Sequence, residues 1–267
     1  MLRRRLAPIL LAAAFLPAGL CCVHAAPRAL LELFTSQGCS SCPPADKLLG
    51  EFAADPSVVA LSLPINIWDY LGWKDTLALP GHSARQRAYA ELRGDRQVYT
   101  PQVVVNGSMH ALGSDRAAIE RAIAQTDRNQ AIMSLPVQLS AGGGNLSVTV
   151  KAVPGQPANG EVWLCPLISA VAVAIGRGEN RGHTLTYHNV VRGWRKLGDF
   201  AGSDSRWSVP LSEIQQGDVD AAAVVVQEGT HDKPGIVLGA AITPLTPLTP
   251  QPAAVPVDAS RQTSSSQ

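Results

Sequence analysis

An apolar strand, a pair of cysteines and an amphipathic helix follow one another near the start of the chain, and this order restricts the fold more than any other feature. Residues 29–34 (Ala-Leu-Leu-Glu-Leu-Phe) are typical of a short, mostly apolar strand, and a short loop leads from them to Cys39 and Cys42. Pro43-Pro44 suits the first turn of a helix, where a missing N–H group costs little. The next residues carry an apolar stripe at helical spacing: Ala45, Leu48, Leu49, Phe52 and Ala53. The sequence therefore predicts a strand, a Cys-x-x-Cys loop and a helix.

Five further elements complete the first half of the chain. They are predicted strands at 58–63, 98–105 and 108–112 and predicted helices at 83–93 and after Ser114-Asp115. Pro101 interrupts one strand near its start, and Asn106-Gly107 is a strong hairpin signal between the last two strands. The resulting order, βαβαββα, predicts an α/β domain over residues 28–130.

The second half of the chain changes character and predicts an all-β domain. Apolar residues recur with period two between turns that contain Gly, Pro or Asn, as in Leu135/Val137/Leu139, Leu146/Val148/Val150, Val171/Val173/Ile175 and Leu185/Tyr187. Short strands at such spacing favour an antiparallel β-sandwich, which we place at residues 131–244. Residues 245–267 repeat Pro, Thr and Ser and are expected to form a disordered tail.

The N-terminal residues have the pattern of a secretion signal. Residues 1–25 combine three arginines, a short apolar run and small residues near Ala25. The apolar run is shorter than the roughly 20 residues that a membrane span needs, so no span is expected in the mature chain. Loss of the three arginines would change the formal net charge from +1 to about −2, which favours no nucleic-acid partner. We expect a periplasmic or secreted protein.

The two neighbouring cysteines can serve as a redox pair, as half of a metal site or as a structural disulfide. With the signal removed, Cys39, Cys42 and Cys165 remain in a compartment where disulfides persist. A cysteine at a helix N-terminus favours the thiolate, which makes Cys39 the expected nucleophile, and Cys42, one turn further in, would resolve a mixed disulfide. Such first cysteines titrate anywhere from about 3.5 to about 7.5, so the direction of electron flow stays open.

Two segments of the sequence resemble the thioredoxin superfamily. They are "LLELFTSQGCSSCPPADKLL" and "YTPQVVVNG", and the second also resembles glutaredoxins. The resemblance implies a thioredoxin-like fold in which a cis bond between Thr100 and Pro101 faces the cysteines and pairs with a bound substrate. Nearly all of the mature chain, including "IWDYLGWKD" and "GRGENRGHTLTYHNVV", also resembles a bacterial family of secreted thioredoxin-like proteins of unknown function. The residues between the cysteines, Ser-Ser, differ from those usual in thioredoxins and glutaredoxins. The redox potential and the substrate class therefore cannot be inferred from the resemblance.

An aromatic and acidic stretch follows the second strand. Its members are Trp68, Asp69, Tyr70, Trp73 and Asp75. Ligands collect where parallel strands end, so Trp68, Asp69 and Trp73 are candidate substrate-binding residues, with Asp69 or Asp75 assisting proton transfer. Alternatively, the aromatic rings cover a core and the aspartates cap turns.

Two features of the second half have functional and structural alternatives. Cys165 lies in a strand-like context, where a free cysteine behaves as a small buried apolar residue, although a disulfide relay with Cys39 is the minority alternative. Residues 177–183 (Arg-Gly-Glu-Asn-Arg-Gly-His) form either a salt-bridged turn or a ligand or domain contact.

The sequence therefore predicts a thiol–disulfide oxidoreductase without a cofactor, acting on a protein or small-molecule thiol or disulfide with an unidentified redox partner. A second hypothesis is a soft-metal protein in which the two thiolates and a histidine bind an ion such as Cu(I), although no histidine has ligand-like spacing. A third is a binding protein whose cysteines form a fixed disulfide.

Overall fold

The computed structural model describes residues 26–156 and 158–245. The predicted signal at 1–25 therefore lies outside the described residues, as does the predicted tail apart from Leu245, which is buried. The elements of the first half are β1 (Ala29–Thr35), α1 (Pro43–Ala53), β2 (Val58–Pro64), a 3₁₀ helix (Asp69–Leu71), α2 (Pro80–Arg93), β3 (Gln102–Val105), β4 (Met109–Leu112) and α3 (Arg116–Thr126). Apart from the added 3₁₀ helix, this order is the predicted one.

Two boundaries in this half differ from the sequence predictions. Helix α2 begins at Pro80 rather than at Ser83, because proline is favoured in the first turn of a helix. Strand β3 begins only at Gln102, and Pro101, which has no N–H group to donate to a ladder, lies before it.

The second half consists mainly of strands. They are β5 (Val137–Gly142), β6 (Asn145–Val150), β7 (Asn159–Ala174), β8 (Thr184–Val191), β9 (Arg195–Ala201), β10 (Ser205–Pro210), β11 (Ala221–Thr230) and β12 (Lys233–Pro244), with a short helix α4 (Leu211–Ile214) after β10. In the part of the chain that the structure describes, no helix is long and apolar enough to cross a membrane.

The strands form one large mixed sheet and one small antiparallel sheet. The large sheet has nine strands in the order β12-β11-β7-β8-β2-β1-β3-β4, with β9 paired to β7. The pairings of β1 with β2 and of β2 with β8 are parallel, and the other pairings are antiparallel. The small sheet has the order β10-β6-β5. The protein is therefore a mixed α/β protein with a second antiparallel sheet.

The large sheet crosses the predicted boundary near residue 130. Strands β7, β8, β11 and β12 were expected in a separate sandwich, yet β8 pairs with β2 at Val190 and Ser62, and the sheet continues through it. An open edge of β2 would expose unpaired backbone groups, and β8 covers that edge. The prediction of a separate all-β sandwich is therefore wrong. Strands β7, β8, β9, β11 and β12 extend the sheet of the first half, and β5, β6 and β10 form the small sheet. The division of the chain into domains stays a prediction.

A buried polar network also joins the two halves. Arg85 on α2 is 2 % exposed, and its guanidinium donates to Glu32 on β1 at 2.7 Å and to Gln227 on β11 at 2.7 Å. Tyr89 donates to the same Glu32 carboxylate at 2.5 Å. Buried charges are tolerated when they are paired and hydrogen-bonded, as they are in this network. The strand that leads to the cysteines is therefore tied to the second half of the chain.

Candidate functional site

Cys39 and Cys42 form a disulfide at the junction of β1 and α1, with their Cα atoms 5.4 Å apart. Cys42 is the N-cap residue of α1, and its carbonyl accepts hydrogen bonds from Ala45 and Asp46 at 2.8 and 3.1 Å. Cys39 lies one turn before the helix, and its carbonyl accepts from the Cys42 N–H at 3.2 Å. The helix begins at Pro43, as the prolines predicted, but the residue at its N-terminus is Cys42 rather than Cys39, so the prediction that Cys42 lies one turn inside the helix is wrong. Cys39 is 4 % exposed and Cys42 is fully buried, so Cys39 is the more accessible of the two.

A serine hydroxyl lies close to the sulfur of Cys39. The Oγ atom of Ser41 is 3.4 Å from the Sγ atom of Cys39, which is a hydrogen-bonding distance for sulfur. Ser40 and Ser41 are both exposed. In the reduced protein a hydroxyl in this position could donate to a Cys39 thiolate, and such bonds favour the charged form.

Trp68 lies against the loop that carries Cys39. A Cβ atom built on Gly38 would lie 3.0 Å from the Cβ atom of Trp68, so any side chain at position 38 would require Trp68 to move by a few tenths of an ångström. The indole N–H of Trp68 donates to the Thr100 hydroxyl at 2.8 Å, and the Thr100–Pro101 bond is cis. The structure therefore brings Trp68 and Thr100 together next to the cysteine loop.

Trp73 and Asp75 hold the same loop through Gln37. The indole N–H of Trp73 donates to Gln37 Oε1 at 2.8 Å, and the Gln37 backbone N–H donates to Asp75 Oδ2 at 2.8 Å. The other Asp75 oxygen accepts from the N–H groups of Leu77 and Ala78 at 2.9 and 3.0 Å. Burial raises the pKa of Asp75, and the three N–H donors partly oppose that rise.

Asp69 holds the turn in front of Asp75. Its Oδ1 atom accepts the Asp75 N–H at 3.0 Å, and the residue opens the 3₁₀ helix. Both aspartates therefore bind backbone N–H groups, which is the turn-capping alternative that the sequence left open. The bonds described for them reach the loop backbone, and a contribution to proton transfer stays a prediction.

Asp46 is a buried carboxylic acid that the sequence predictions missed. It is 3 % exposed, and neither of its oxygens has a hydrogen-bond partner among the described residues. Burial raises the pKa of Asp46 well above its usual range, and the negative charge of Asp75 adds to the rise. Its spacing from Leu49 and Ala53 (i, i+3, i+7) is the signal that could have placed it on the buried face.

A cavity of ≈ 290 Å³ adjoins Asp46, between the first turn of α1 and strand β8. It is lined by Pro43, Asp46, Lys47, Thr184, Leu185, Thr186 and His188.

The connection between β7 and β8, residues 175–183, folds over the cysteine loop, and we call it the strap. The Asn180 side-chain amide donates to the carbonyls of Gln37 and Cys39, both at 2.9 Å, and Asn180 is 5 % exposed. The Glu179 carboxylate accepts from the Ser40 N–H at 3.3 Å. Of the two alternatives for this segment, the structure therefore shows a contact, and the contact is with the Cys-x-x-Cys loop.

Cys165 is a free, buried cysteine on β7, as predicted. Burial raises the pKa of the Cys165 thiol far above its ordinary value, which disfavours the reactive thiolate. Across residues 26–156 and 158–245, no group of three or more His, Cys, Asp or Glu side chains is placed to hold a metal ion.

Comparisons with known proteins place the chain in a family. A search of curated proteins found no significant match. A protein from Agrobacterium tumefaciens with an X-ray crystal structure matches with a TM-score of 0.75 and 28% sequence identity, over 85% of this chain and 98% of that chain. The family model described as "Protein of unknown function (DUF1223)" matches residues 30–227. The chain therefore belongs to the DUF1223 family.

Proposed function

We propose that the protein is a thioredoxin-like thiol–disulfide oxidoreductase in which Cys39 and Cys42 are the redox pair. The observation that carries the proposal is the Cys39–Cys42 disulfide at a strand-to-helix junction, with the more accessible cysteine outside the helix and the fully buried one at its N-cap. The order of elements around the pair and the cis bond before Pro101 support the thioredoxin-like assignment.

The proposed reaction is an exchange of two electrons. A substrate thiolate attacks Cys39 Sγ, the Cys39–Cys42 bond breaks, and Cys42 leaves as a thiolate. The positive end of α1 favours that leaving group, because Cys42 sits at the N-cap. A second substrate thiol then displaces Cys39 from the mixed disulfide. Two substrate thiols thus lose two electrons and two protons, and the protein disulfide gains them; the reverse direction uses the same steps.

The proposal includes an exported protein with a separate redox partner. The N-terminal pattern at 1–25 supports export to an oxidising compartment, where such a pair can be kept oxidised. A second thiol or disulfide system must return the pair to its starting state after each turnover.

The experiment that tests the proposal traps the mixed disulfide. Cys42→Ser leaves Cys39 without its resolving partner, so a disulfide formed between Cys39 and a substrate accumulates. We expect covalent adducts at Cys39 when the variant is expressed in its native compartment, identified by mass spectrometry under non-reducing conditions. Cys165→Ser, with Cys39 and Cys42 unchanged, is the matched control and should trap no adduct. Absence of adducts, together with stoichiometric copper in the purified wild-type protein, would refute the proposal in favour of the metal hypothesis.

A further inference from the structure

We propose that the strap, fastened by Asn180, restricts the redox pair to small thiols and disulfides and slows its reaction with protein thiols. This inference rests on the proposed function, and it assigns to Asn180 a positioning role that determines substrate class. Asn180 is 141 residues from Cys39 in sequence, yet its amide binds the Cys39 carbonyl directly.

The strap is hydrogen-bonded to the backbone around the more accessible of the two cysteines. Cys42 is fully buried, so an attacking thiolate must reach Cys39, of which only 4 % is exposed. Asn180 bridges the carbonyls of Gln37 and Cys39, and Glu179 binds the Ser40 N–H, so the strap spans the backbone on both sides of Cys39. A small thiol needs room for a few atoms near the sulfur, whereas a protein thiol brings its neighbouring backbone with it.

The Trp73 side chain packs against the strap. A Cβ atom on Gly176 would lie 3.1 Å from the Trp73 ring, and one on Gly178 would lie 3.4 Å from the Trp73 Cβ atom. Gly178 also has a φ of +77°, a conformation that other residues rarely adopt. The same Trp73 donates to Gln37, so the strap and the cysteine loop rest on one side chain.

Hydrogen bonds within the strap would keep it folded if it moved away from the cysteine loop, a movement we call lifting. The Ile175 N–H donates to the His183 carbonyl and the Gly182 N–H to the Ile175 carbonyl, both at 2.9 Å. The His183 N–H donates to the Asn180 carbonyl at 3.1 Å. Lifting the strap would leave these bonds intact. It would break the two bonds of the Asn180 amide and the bond from Ser40 to Glu179, and it would separate Gly176 and Gly178 from Trp73. Those contacts set the population of the open form.

The test compares one small and one macromolecular thiol with each variant. Dithiothreitol and reduced, unfolded ribonuclease are the probes, and the second-order rate of reduction of the Cys39–Cys42 bond is followed by alkylation and mass spectrometry. Asn180→Ala removes both amide bonds and should raise the rate with the protein thiol about thirtyfold, the effect of losing two ordinary hydrogen bonds. The rate with dithiothreitol should change by less than about twofold, because a small thiol does not need the open form. Asn145→Ala, which removes an amide bond to Gly143 in an exposed turn, is the matched control and should change neither rate.

Two further variants keep the test decisive if Asn180→Ala folds poorly. Asn180→Asp keeps the side-chain shape but removes the N–H donor, and Glu179→Gln weakens only the bond to Ser40. Both variants should raise the rate with the protein thiol relative to the rate with dithiothreitol, as Asn180→Ala does. The effect of Glu179→Gln should be the smaller one. Equal changes with both probes, or no change in any strap variant, would overturn the inference while leaving the redox function intact. If the wild-type protein reacts with neither probe, the proposed function fails first and the inference falls with it.

Discussion

Removing Arg85 should test how strongly the buried network joins the two halves of the protein. Arg85→Met leaves the Glu32 carboxylate fully buried, with the Tyr89 hydroxyl still donating to it but without its cation and two N–H donors. Breaking one side of a buried ion pair costs about 3–5 kcal/mol, because the remaining charge is neither paired nor hydrated. Small domains have total stabilities of about 5–15 kcal/mol, so this loss would be a large fraction of the free energy of unfolding.

A double variant distinguishes the cost of the unpaired Glu32 charge from the cost of the packing lost with Arg85. Arg85→Met combined with Glu32→Gln removes both charges, and we expect it to recover at least half of the loss, since an apolar or neutral replacement of a buried pair is often tolerated. Arg195→Met is the control, because it breaks a 2.7 Å pair with Glu213 whose side chains are both 49% exposed. That exposed pair should contribute less than about 1 kcal/mol.

Urea unfolding of the oxidised protein, followed by far-ultraviolet circular dichroism and tryptophan fluorescence, is the assay. Because Arg85 contacts β1 through Glu32 and β11 through Gln227, both signals should shift to lower urea together. A loss below about 1 kcal/mol for Arg85→Met, or a double variant as unstable as the single one, would refute the reasoning about the unpaired Glu32 charge.

Two further predictions concern the side chains next to the cysteines. Burial raises the pKa of Asp46 in the folded protein. As the pH rises, this carboxyl group therefore loses its proton at a lower pH in the unfolded chain than in the folded protein. The stability of the wild-type protein should fall as the pH rises from the ordinary carboxyl pKa toward the raised one. Asp46→Asn should abolish that part of the pH dependence and be more stable than wild type at pH 7, as measured by urea unfolding at several pH values. Ser41→Ala removes the hydroxyl 3.4 Å from Cys39 Sγ and should raise the pKa of the reduced Cys39 thiol, lowering its thiolate fraction about three- to tenfold. The ultraviolet absorbance of the thiolate against pH measures this change, and an unaltered titration would contradict the role given to Ser41.

Local patterns were sufficient to predict the elements around the cysteines. The apolar run before Cys39, the prolines after Cys42 and the hairpin signal at Asn106-Gly107 each depend on residues close in sequence, and the structure has the corresponding strand, helix and hairpin. The prolines placed the start of α1 correctly, but the position of the two cysteines relative to it was wrong, because Cys42 is the N-cap residue and Cys39 lies one turn before the helix.

Contacts between distant parts of the chain could not be predicted in the same way. The pairing of β8 with β2 depends on an open sheet edge that no local pattern reveals, and the bond from Asn180 to Cys39 joins residues from the two halves. The glycines and charges at 177–183 indicated an unusual loop but carried no information about its partner. Tertiary contacts therefore determine which residues contact the Cys39–Cys42 loop.

A redox titration of the wild-type protein tests the central claim most directly. The oxidised and reduced forms of the Cys39–Cys42 pair are quantified by alkylation and mass spectrometry after equilibration in dithiothreitol buffers of graded potential. A thiol–disulfide oxidoreductase should show one reversible two-electron transition within the range of about −270 to −120 mV that exchange proteins span. A pair that stays oxidised below about −300 mV would be a structural disulfide, and the proposed function would be wrong.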